Sequence, residues 1–227
     1  MTAPRRKSRT STAVLLIYLL EGRVAGMVAA PSTVEAILRC ARSSIVAGGY
    51  NGFSYADIAA VVGIRKASIH HHFPTKVDLV RTLVRQYRDE AVAGLAEIER
   101  HVADPLEQLR SYAGYWESCI GDPETSYCLC ALLATQIPVL PEEIVLEVRA
   151  YFRALSAWLT SVLERGARGG ALTLTDDAHS EAEALMAAVH GAMLAARAYG
   201  DPQAFAAITR PVIDRLRSHS SSADGRT

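Results

Sequence analysis

The sequence predicts an all-α protein of about nine helices, with a three-helix N-terminal helix-turn-helix unit and a larger helical C-terminal half. Three observations predict it. Apolar residues recur at helical spacing almost everywhere from residue 33 onward. No stretch alternates strictly enough to be a strand, and no internal repeat is visible. Half of the 227 residues are hydrophobic, which is enough for a substantial core.

Breakers and caps place the helices in order. The first covers residues 33 to 47; Ser32 caps it, Glu35 completes a capping box and Gly48-Gly49 end it. The second covers 55 to 62, with Ser54 as cap, Asp57 as its reciprocal partner and Gly63 as terminator. The third is short, 65 to 72, and stops at Phe73-Pro74. The fourth has Thr75 as cap and Asp78 three residues on, and runs to about residue 101. Asp104-Pro105 opens a fifth, cap then proline, which ends near Gly121-Asp122-Pro123. A sixth covers 129 to 137 and stops at Pro138. A seventh starts at Pro141 and continues to 168, where Gly169-Gly170 break it. The eighth spans 177 to 199, and Gly200-Asp201-Pro202 separates it from a ninth over 203 to 218. The expected organisation is an N-terminal extension over 1–30, a helix-turn-helix domain over 31–78, a regulatory and dimerisation domain over 79–218, and a polar tail over 219–227.

Charge is balanced, 24 basic residues against 24 acidic, so the total says nothing about nucleic acid. Its distribution does. Arg5, Arg6, Lys7, Arg9 and Arg23 face only Glu21 in the first 30 residues. Arg39, Arg42, Arg65, Lys66 and Lys76 face Glu35, Asp57 and Asp78 in the next 50. A basic first third on a neutral chain suits a polyanion-binding end. Residues 1–30 also imitate a secretory signal, with a basic start, an apolar run over 13–20 and a Val28-Ala29-Ala30 ending. Glu21 and Arg23 sit badly in that pattern, and the run is too short to span a membrane. Two other readings are an additional N-terminal arm, or a true start at Met27.

Residues 49 to 73 form a helix-turn-helix in physical terms. Ile58, Ala59 and Val62 make the inner face of the supporting helix, Gly63 supplies a left-handed turn, and Ile64, Ile69 and Phe73 bury the second helix against the first. Arg65, Lys66, Ser68, His70, His71 and His72 are left facing outward or sideways. A short helix with a basic, hydrogen-bonding exposed face suits insertion into a major groove. The three adjacent histidines point about 100° apart on a helix and do not converge on one metal ion, so no metal is expected; one of them, His72, is the candidate for a packed or capping role.

At this point the resemblance is plain. Gly49-Tyr50-Asn51-Gly52-Phe53-Ser54-Tyr55-Ala56-Asp57-Ile58-Ala59, then Gly63-Ile64-Arg65-Lys66-Ala67-Ser68-Ile69, then His71-His72-Phe73-Pro74-Thr75-Lys76-Val77-Asp78-Leu79 follow the DNA-binding domain of the TetR (TetR/AcrR) family in order and spacing. The resemblance covers residues 33–80. It implies that Ser54 bonds a phosphate at a helix start. It puts Arg65 and Lys66 on base edges and nearby phosphates, and Ala67 and Ser68 against bases or sugar. His70 and His71 would touch phosphate, although tyrosine is commoner at the position of His70. Lys76 would hold a further phosphate; the alternative is a solvated lysine at a helix start. It also implies double-stranded DNA with a near-palindromic operator as partner, and a cytoplasmic homodimer.

The C-terminal half carries weaker signals. Leu185, Met186, Val189, Met193 and Leu194 lie on one stripe of the eighth helix among alanines and Gly191. Phe205, Ile208, Val212, Ile213 and Leu216 match them on the ninth. These two helices either pair with those of a second copy in a four-helix bundle or pack internally; the resemblance favours the dimer. Tyr112, Tyr115, Trp116 and Cys119 on the fifth helix, Gln136 on the sixth, and Phe152 and Trp158 on the seventh are candidates for lining an effector pocket, the alternative being ordinary core. Of the four cysteines, Cys40, Cys119, Cys128 and Cys130, none has zinc-site spacing, and reduced thiols are expected. Cys128 sits near a helix N-terminus, where the dipole lowers a thiol pKa. It resembles a branch of the family that senses electrophiles or oxidants; two buried structural thiols are the alternative. His190 reads as a core or interface histidine.

The expected function is that of a ligand-responsive regulator, a repressor released from its operator by a small molecule or by thiol modification. Helical enzyme and secreted binding protein are the other classes. No nucleophile series, phosphate loop, metal motif or catalytic carboxylate pair supports the enzyme, and no cofactor is implied.

Overall fold

The computed structural model describes residues 31–120 and 127–218. The expected N-terminal extension, the polar tail and the Gly121-Asp122-Pro123 break lie outside the described residues. Among the described residues are nine α-helices: α1 (Thr33–Gly48), α2 (Tyr55–Val62), α3 (Lys66–His72), α4 (Lys76–His101), α5 (Pro105–Cys119), α6 (Leu129–Ala134), α7 (Glu142–Arg168), α8 (Ala178–Tyr199) and α9 (Gln203–Asp214).

Local chemistry explains most of the boundaries. Ser32 and Glu35, Ser54 and Asp57, and Thr75 and Asp78 each form a reciprocal capping box at the start of α1, α2 and α4. Each box satisfies two otherwise orphaned backbone N–H groups, and such a cap contributes about 1 kcal/mol. Asp104 accepts from the Glu107 N–H at 2.9 Å ahead of Pro105 in α5. Asp177 accepts from His179 and Ser180 at the start of α8. α2 ends because Gly63 takes φ +76°, ψ +31°, a left-handed conformation that a residue with a Cβ adopts only at a cost.

Several boundaries differ from expectation, three of them for a local reason. α3 begins at Lys66 because Arg65 is its extended N-cap. α6 ends at Ala134 rather than running to Pro138, and a separate 3-10 turn, Ile137–Val139, follows. Pro138 has no N–H to donate to the Ala134 carbonyl, so the α-helix cannot continue through it. α9 stops at Asp214 rather than 218. Pro211 removes one of its backbone bonds, and the chain then turns so that Thr173 N–H donates to Leu216 O at 2.9 Å and Leu172 bridges Arg217.

The core of the C-terminal half lies between α5, α7, α8 and α9. Leu159, Val162 and Leu163 of α7, Leu185 and Val189 of α8, Phe205 of α9 and Leu109 of α5 are all fully buried there. α4 joins this core to α1–α3. Its buried face, Leu79, Val80, Leu83, Val84 and Tyr87, runs from one unit into the other. Arg85 and Arg88 of α4 both clasp Glu147 of α7, at 2.8 and 2.7 Å. A second tie comes from the turn after α6, where Gln136 Oε1 accepts from the Tyr50 N–H at 2.8 Å. Gly49 allows that approach, because a Cβ there would overlap the Gln136 amide.

Candidate functional site

The helix-turn-helix is held by a small apolar seam. Ile58 of α2 and Ile69 of α3 are completely buried, and Phe73 nearly so. Burying such side chains contributes about 1.5–3 kcal/mol each. A buried hydrogen bond that sequence reading missed completes the seam: Tyr55 Oη donates to the Phe73 carbonyl at 2.9 Å. Burial pushes the Tyr55 phenol up to about 12, so it remains a donor at any physiological pH. With Ile69 turned in, Arg65, Lys66, Ala67, His70, His71 and His72 are exposed and Ser68 is half-buried. The exposed face of α3 therefore carries two cations and a histidine pair, His71 and His72, in edge contact at 5.3 Å.

The individual residues differ in how free they are. His70 Nδ1 lies 3.1 Å from the Pro74 carbonyl, and its ring packs against Tyr55 at 4.8 Å. The capping histidine is thus His70 and not His72, because only His70 projects back toward the turn before α4. Ser54 is exposed, yet both its amide and its hydroxyl donate to Asp57, each at 2.7 Å. A phosphate contact by Ser54 would require that box to open. The Ser54 hydroxyl, its amide and nearby Lys76 hold the Asp57 carboxyl below the usual range. Lys76 is half-buried. Its Nζ donates to the Phe53 carbonyl at 2.5 Å and lies over the rings of Phe53 and Tyr50, at 4.1 and 4.8 Å. Burial pushes its pKa down, and Asp57 opposes this. Lys76 is therefore a tie between α4 and the loop before α2, neither a freely solvated lysine nor an open phosphate hook.

The second group of predicted residues forms an interior cluster. Tyr112, Trp116 and Cys119 of α5 are nearly inaccessible, Cys128 fully so, and Tyr115, Phe152 and Trp158 half-buried. Ring contacts join several of them: Tyr112 to Trp158 at 6.0 Å, Tyr115 to Trp116 at 5.1 Å, and Phe152 to Tyr151 at 5.4 Å. Gln136 does not share these contacts; its amide is spent on Tyr50. Two further members complete the cluster. Tyr151 of α7 lies 3.5 Å from the Cys128 sulfur. His190 of α8 packs on Phe152 at 5.4 Å, with Nδ1 2.9 Å from the Met186 carbonyl.

All four cysteines are free thiols. Cys128 is the N-cap of α6, and its sulfur accepts from the Ala131 N–H at 3.4 Å. Burial pushes its pKa up. The hydrogen-bonding and charge of His190, with smaller help from Tyr151 and the Ala131 N–H, outweigh this and hold the thiol below its ordinary value. A histidine rather than the helix end is therefore the main cause. Burial pushes the His190 imidazole down, and Cys128 more than offsets it, so the pair raises His190. Cys130, by contrast, is pushed well up by burial and by Cys128 itself. An open groove of about 780 Å³ runs along α7 and α8 beside this cluster, and Phe152, Ser156, Glu183 and Met186 are among its walls.

The apolar stripe of α8 turns inward. Leu185, Met186, Val189 and Met193 pack within the same chain, as do Phe205, Ile213 and Leu216. The outward face of α8 and α9 includes instead Ala184, Ala187, Gly191, Ala207 and Pro211, with Leu194 and Ile208 exposed at 57% and 37%, beside charged residues such as Glu183, Arg197 and Arg210. Among the described residues, no group of three or more His, Cys, Asp or Glu side chains could hold a metal ion. None of the helices described is long and apolar enough to cross a membrane.

Comparison with known proteins follows this division. Residues 37–83 match the family described as bacterial regulatory proteins, tetR family, and residues 105–212 match the tetracyclin repressor-like C-terminal domain. A TetR-family transcriptional regulator of known structure from Agrobacterium tumefaciens is 64% identical, with a TM-score of 0.80 over 81% of this chain and 97% of that one. The HTH-type transcriptional regulator RutR of Escherichia coli is 25% identical over 142 residues, 58% of this chain and 62% of RutR. The HTH-type transcriptional repressor KstR2 of Mycobacterium tuberculosis is 34% identical over 88 residues, 39% of this chain and 43% of KstR2. The match thus spans less than two thirds of either curated relative. Two family domains in the right order, and a solved relative matched over nearly its whole length, lead to one conclusion: the chain belongs to the TetR family of bacterial regulatory proteins.

Proposed function

We propose that the chain is a sequence-specific DNA-binding transcriptional repressor. It works as a homodimer through α8 and α9, and a small molecule engaging the C-terminal half releases it from a near-palindromic operator. The single observation that carries this reading is α3: Ile69 anchors it, while Arg65, Lys66, Ala67 and His71 project from the surface. Such a helix reads base edges in a major groove, and its cations pair with phosphates. Arg65, Lys66, Ala67, Ser68 and His71 form the reading face, with Ser54, His70 and Lys76 at its border. Ser54 and Lys76 would position the turn more than bind DNA. Repression is supported by the description of KstR2 as a repressor.

The test is titration of the purified protein with DNA from upstream of its own gene, at several salt concentrations. Affinity should fall steeply and linearly on a log–log plot as salt rises. Failure to bind any duplex at low ionic strength would falsify the reading. A second mode of release, thiol modification at Cys128, is favoured by the His190 pairing that lowers its pKa. Alkylation that frees DNA in the parent protein but not in Cys128→Ser is the expected result.

A further inference from the structure

Of the three histidines of α3, His70 is held by a backbone carbonyl: its Nδ1 lies 3.1 Å from Pro74 O. A carbonyl oxygen only accepts, so the hydrogen of this bond sits on Nδ1. A neutral imidazole carries a single N–H, and the neutral His70 ring therefore presents a bare lone pair at Nε2. Tyr55 packs on the same ring at 4.8 Å and helps to hold it, while the residue as a whole is exposed. His71 and His72 are exposed as well and touch each other edge to edge at 5.3 Å. Among the described residues no hydrogen bond fixes which of their nitrogens carries the hydrogen, so each can turn an N–H outward while neutral.

The groups around His70 are otherwise engaged. From α2, Tyr55 faces it; burial holds that phenol at about 12 and its hydrogen goes to Phe73 O, so it stays neutral. The start of α4 carries Lys76 and Asp78. The Lys76 Nζ donates to Phe53 O, and the Asp78 carboxylate is taken by the Thr75 amide and hydroxyl and by Arg81. On α3 itself, Lys66 lies one turn back, and His71 and His72 follow. Among the described residues, then, no carboxylate pairs with the His70 ring, and its charged helical neighbour is a cation. The protein itself supplies no acceptor there that would draw a proton onto Nε2. A phosphate oxygen would.

We infer that His70 binds a DNA phosphate only as the imidazolium, so that operator binding takes up a proton from solvent at this ring in each protomer. The inference rests on α3 being the DNA-reading helix with His70 at the border of its face, and adds the protonation state in which the contact forms. With a proton on Nε2, the ring donates to Pro74 O from one edge and to a phosphate oxygen from the other, a charge-assisted bond. Without it, the Nε2 lone pair meets an oxygen that also only accepts, and the contact is repulsive. DNA therefore favours the protonated ring. By linkage, the contribution of His70 to affinity is complete in acid and is lost as pH rises through the range in which imidazoles titrate, about pH 5–8. A tyrosine in its place would donate its hydroxyl throughout that range.

The experiment titrates the intact protein with duplex DNA from upstream of its own gene at about pH 5.5 and about pH 8, at one ionic strength. Affinity should be at least about tenfold higher in acid. His70→Tyr should shrink that difference to about threefold or less, whereas His71→Gln and His72→Gln should keep it, whatever their own affinity. Equal affinity at the two pH values in the parent protein, or the full difference in His70→Tyr, would overturn the inference. Ring-nitrogen NMR of the free parent protein tests the premise without relying on any variant to fold. At about pH 8 the hydrogen of His70 should be on Nδ1, and an Nε2–H ring would overturn the assignment. The two readings separate in the same titrations. Duplex binding that ignores pH keeps the DNA-binding reading and overturns the proton linkage; no binding at either pH overturns both.

Discussion

The guanidinium of Arg42 lies over the ring of Tyr87, with its Cζ 5.1 Å from the ring centroid. The pair crosses a boundary, because Arg42 belongs to α1 of the DNA-binding unit and Tyr87 to α4. Tyr87 continues inward: its ring lies 5.5 Å from that of Tyr151, which touches Cys128, which is coupled to His190. Packed rings and one cation therefore run without a gap from the interior cluster to the first helix of the DNA-binding unit. Gln136, bonded to the Tyr50 amide, makes a parallel connection from the other end of α6.

The first prediction concerns that chain of contacts. Arg42→Met keeps most of the aliphatic stem and removes the charge over Tyr87. It should leave the affinity for operator DNA within a few-fold of the parent, since Arg42 faces α4 and not the exposed side of α3. The loss of DNA affinity on effector binding or Cys128 alkylation should shrink, from a coupling in the typical range of about 5–150-fold toward none. Operator affinity measured with and without the modifying agent, in both proteins, decides it. An undiminished response would mean that α4 carries the signal through other contacts, such as Arg88 and Glu147.

The exposed face of α3 and the start of α4 make separable predictions. Lys66→Ala should weaken operator binding by about 1–3 kcal/mol if it reads a base, and should reduce the salt slope by about 1 if it holds a phosphate. It should leave thermal stability unchanged. Lys76→Met should behave in the opposite way. Loss of its bond to Phe53 O and of two ring contacts should lower stability by about 1–2 kcal/mol, with a smaller change in the salt slope. Denaturant melts and salt-dependent DNA titrations on both variants check this. A stable Lys76→Met protein with the full salt-slope loss would restore Lys76 as a phosphate ligand.

Why some of this was legible and some was not follows from the range of each interaction. Ser32 with Glu35, Ser54 with Asp57, and Thr75 with Asp78 each lie three residues apart, so their capping boxes are visible in the sequence itself. Gly63 and Ile69 are equally local, and with them the helix-turn-helix. Helix ends governed by Pro138 and Pro211 were placed too late, because a proline's effect depends on which carbonyl it deprives. The His190–Cys128 coupling, the Tyr87–Tyr151 contact and the Gln136–Tyr50 bond join distant segments, and no spacing rule reaches them. The choice of His70 over His72 as the capping histidine turned on one rotation of a short helix. Which face of α8 turns inward was out of reach for a related reason: apolar residues lie on more than one side of it, and only packing shows that the larger side chains go inward.

Cys128 and Cys130 give the third prediction, with opposite signs for two thiols two residues apart in the chain. His190 lowers the Cys128 thiol, whereas burial raises Cys130 well above the ordinary value. Thiolate is the reactive form and its fraction grows as pH rises through the pKa. Cys128 should therefore reach its half-maximal alkylation rate at a lower pH than an ordinary cysteine, and Cys130 at a higher one. His190→Gln should move the Cys128 midpoint upward and leave Cys130 nearly unmoved. Peptide-resolved alkylation across pH, with a small uncharged reagent, measures both midpoints. Coincident midpoints, or a Cys128 profile indifferent to His190→Gln, would remove His190 as the cause.

The last prediction tests the dimer without disturbing the protomer. Gly191 is on the outward face of α8, between Ala187 and the exposed Leu194, and a Cβ there would meet nothing within 4 Å in its own chain. Gly191→Leu is thus accommodated by an isolated protomer and gains helix propensity by about 0.8–1 kcal/mol. In the proposed four-helix bundle this exposed glycine would face the partner's helices, and a leucine side chain there would force them apart. Gly191→Leu should raise the dimer dissociation constant by at least about a hundredfold, a cost of about 2.7 kcal/mol. Operator affinity should fall with it, because one recognition helix cannot span two half-sites. Sedimentation measurements over a concentration series, alongside circular dichroism, distinguish the outcomes. An unaltered dimer with a more stable helix would move the interface away from this face of α8.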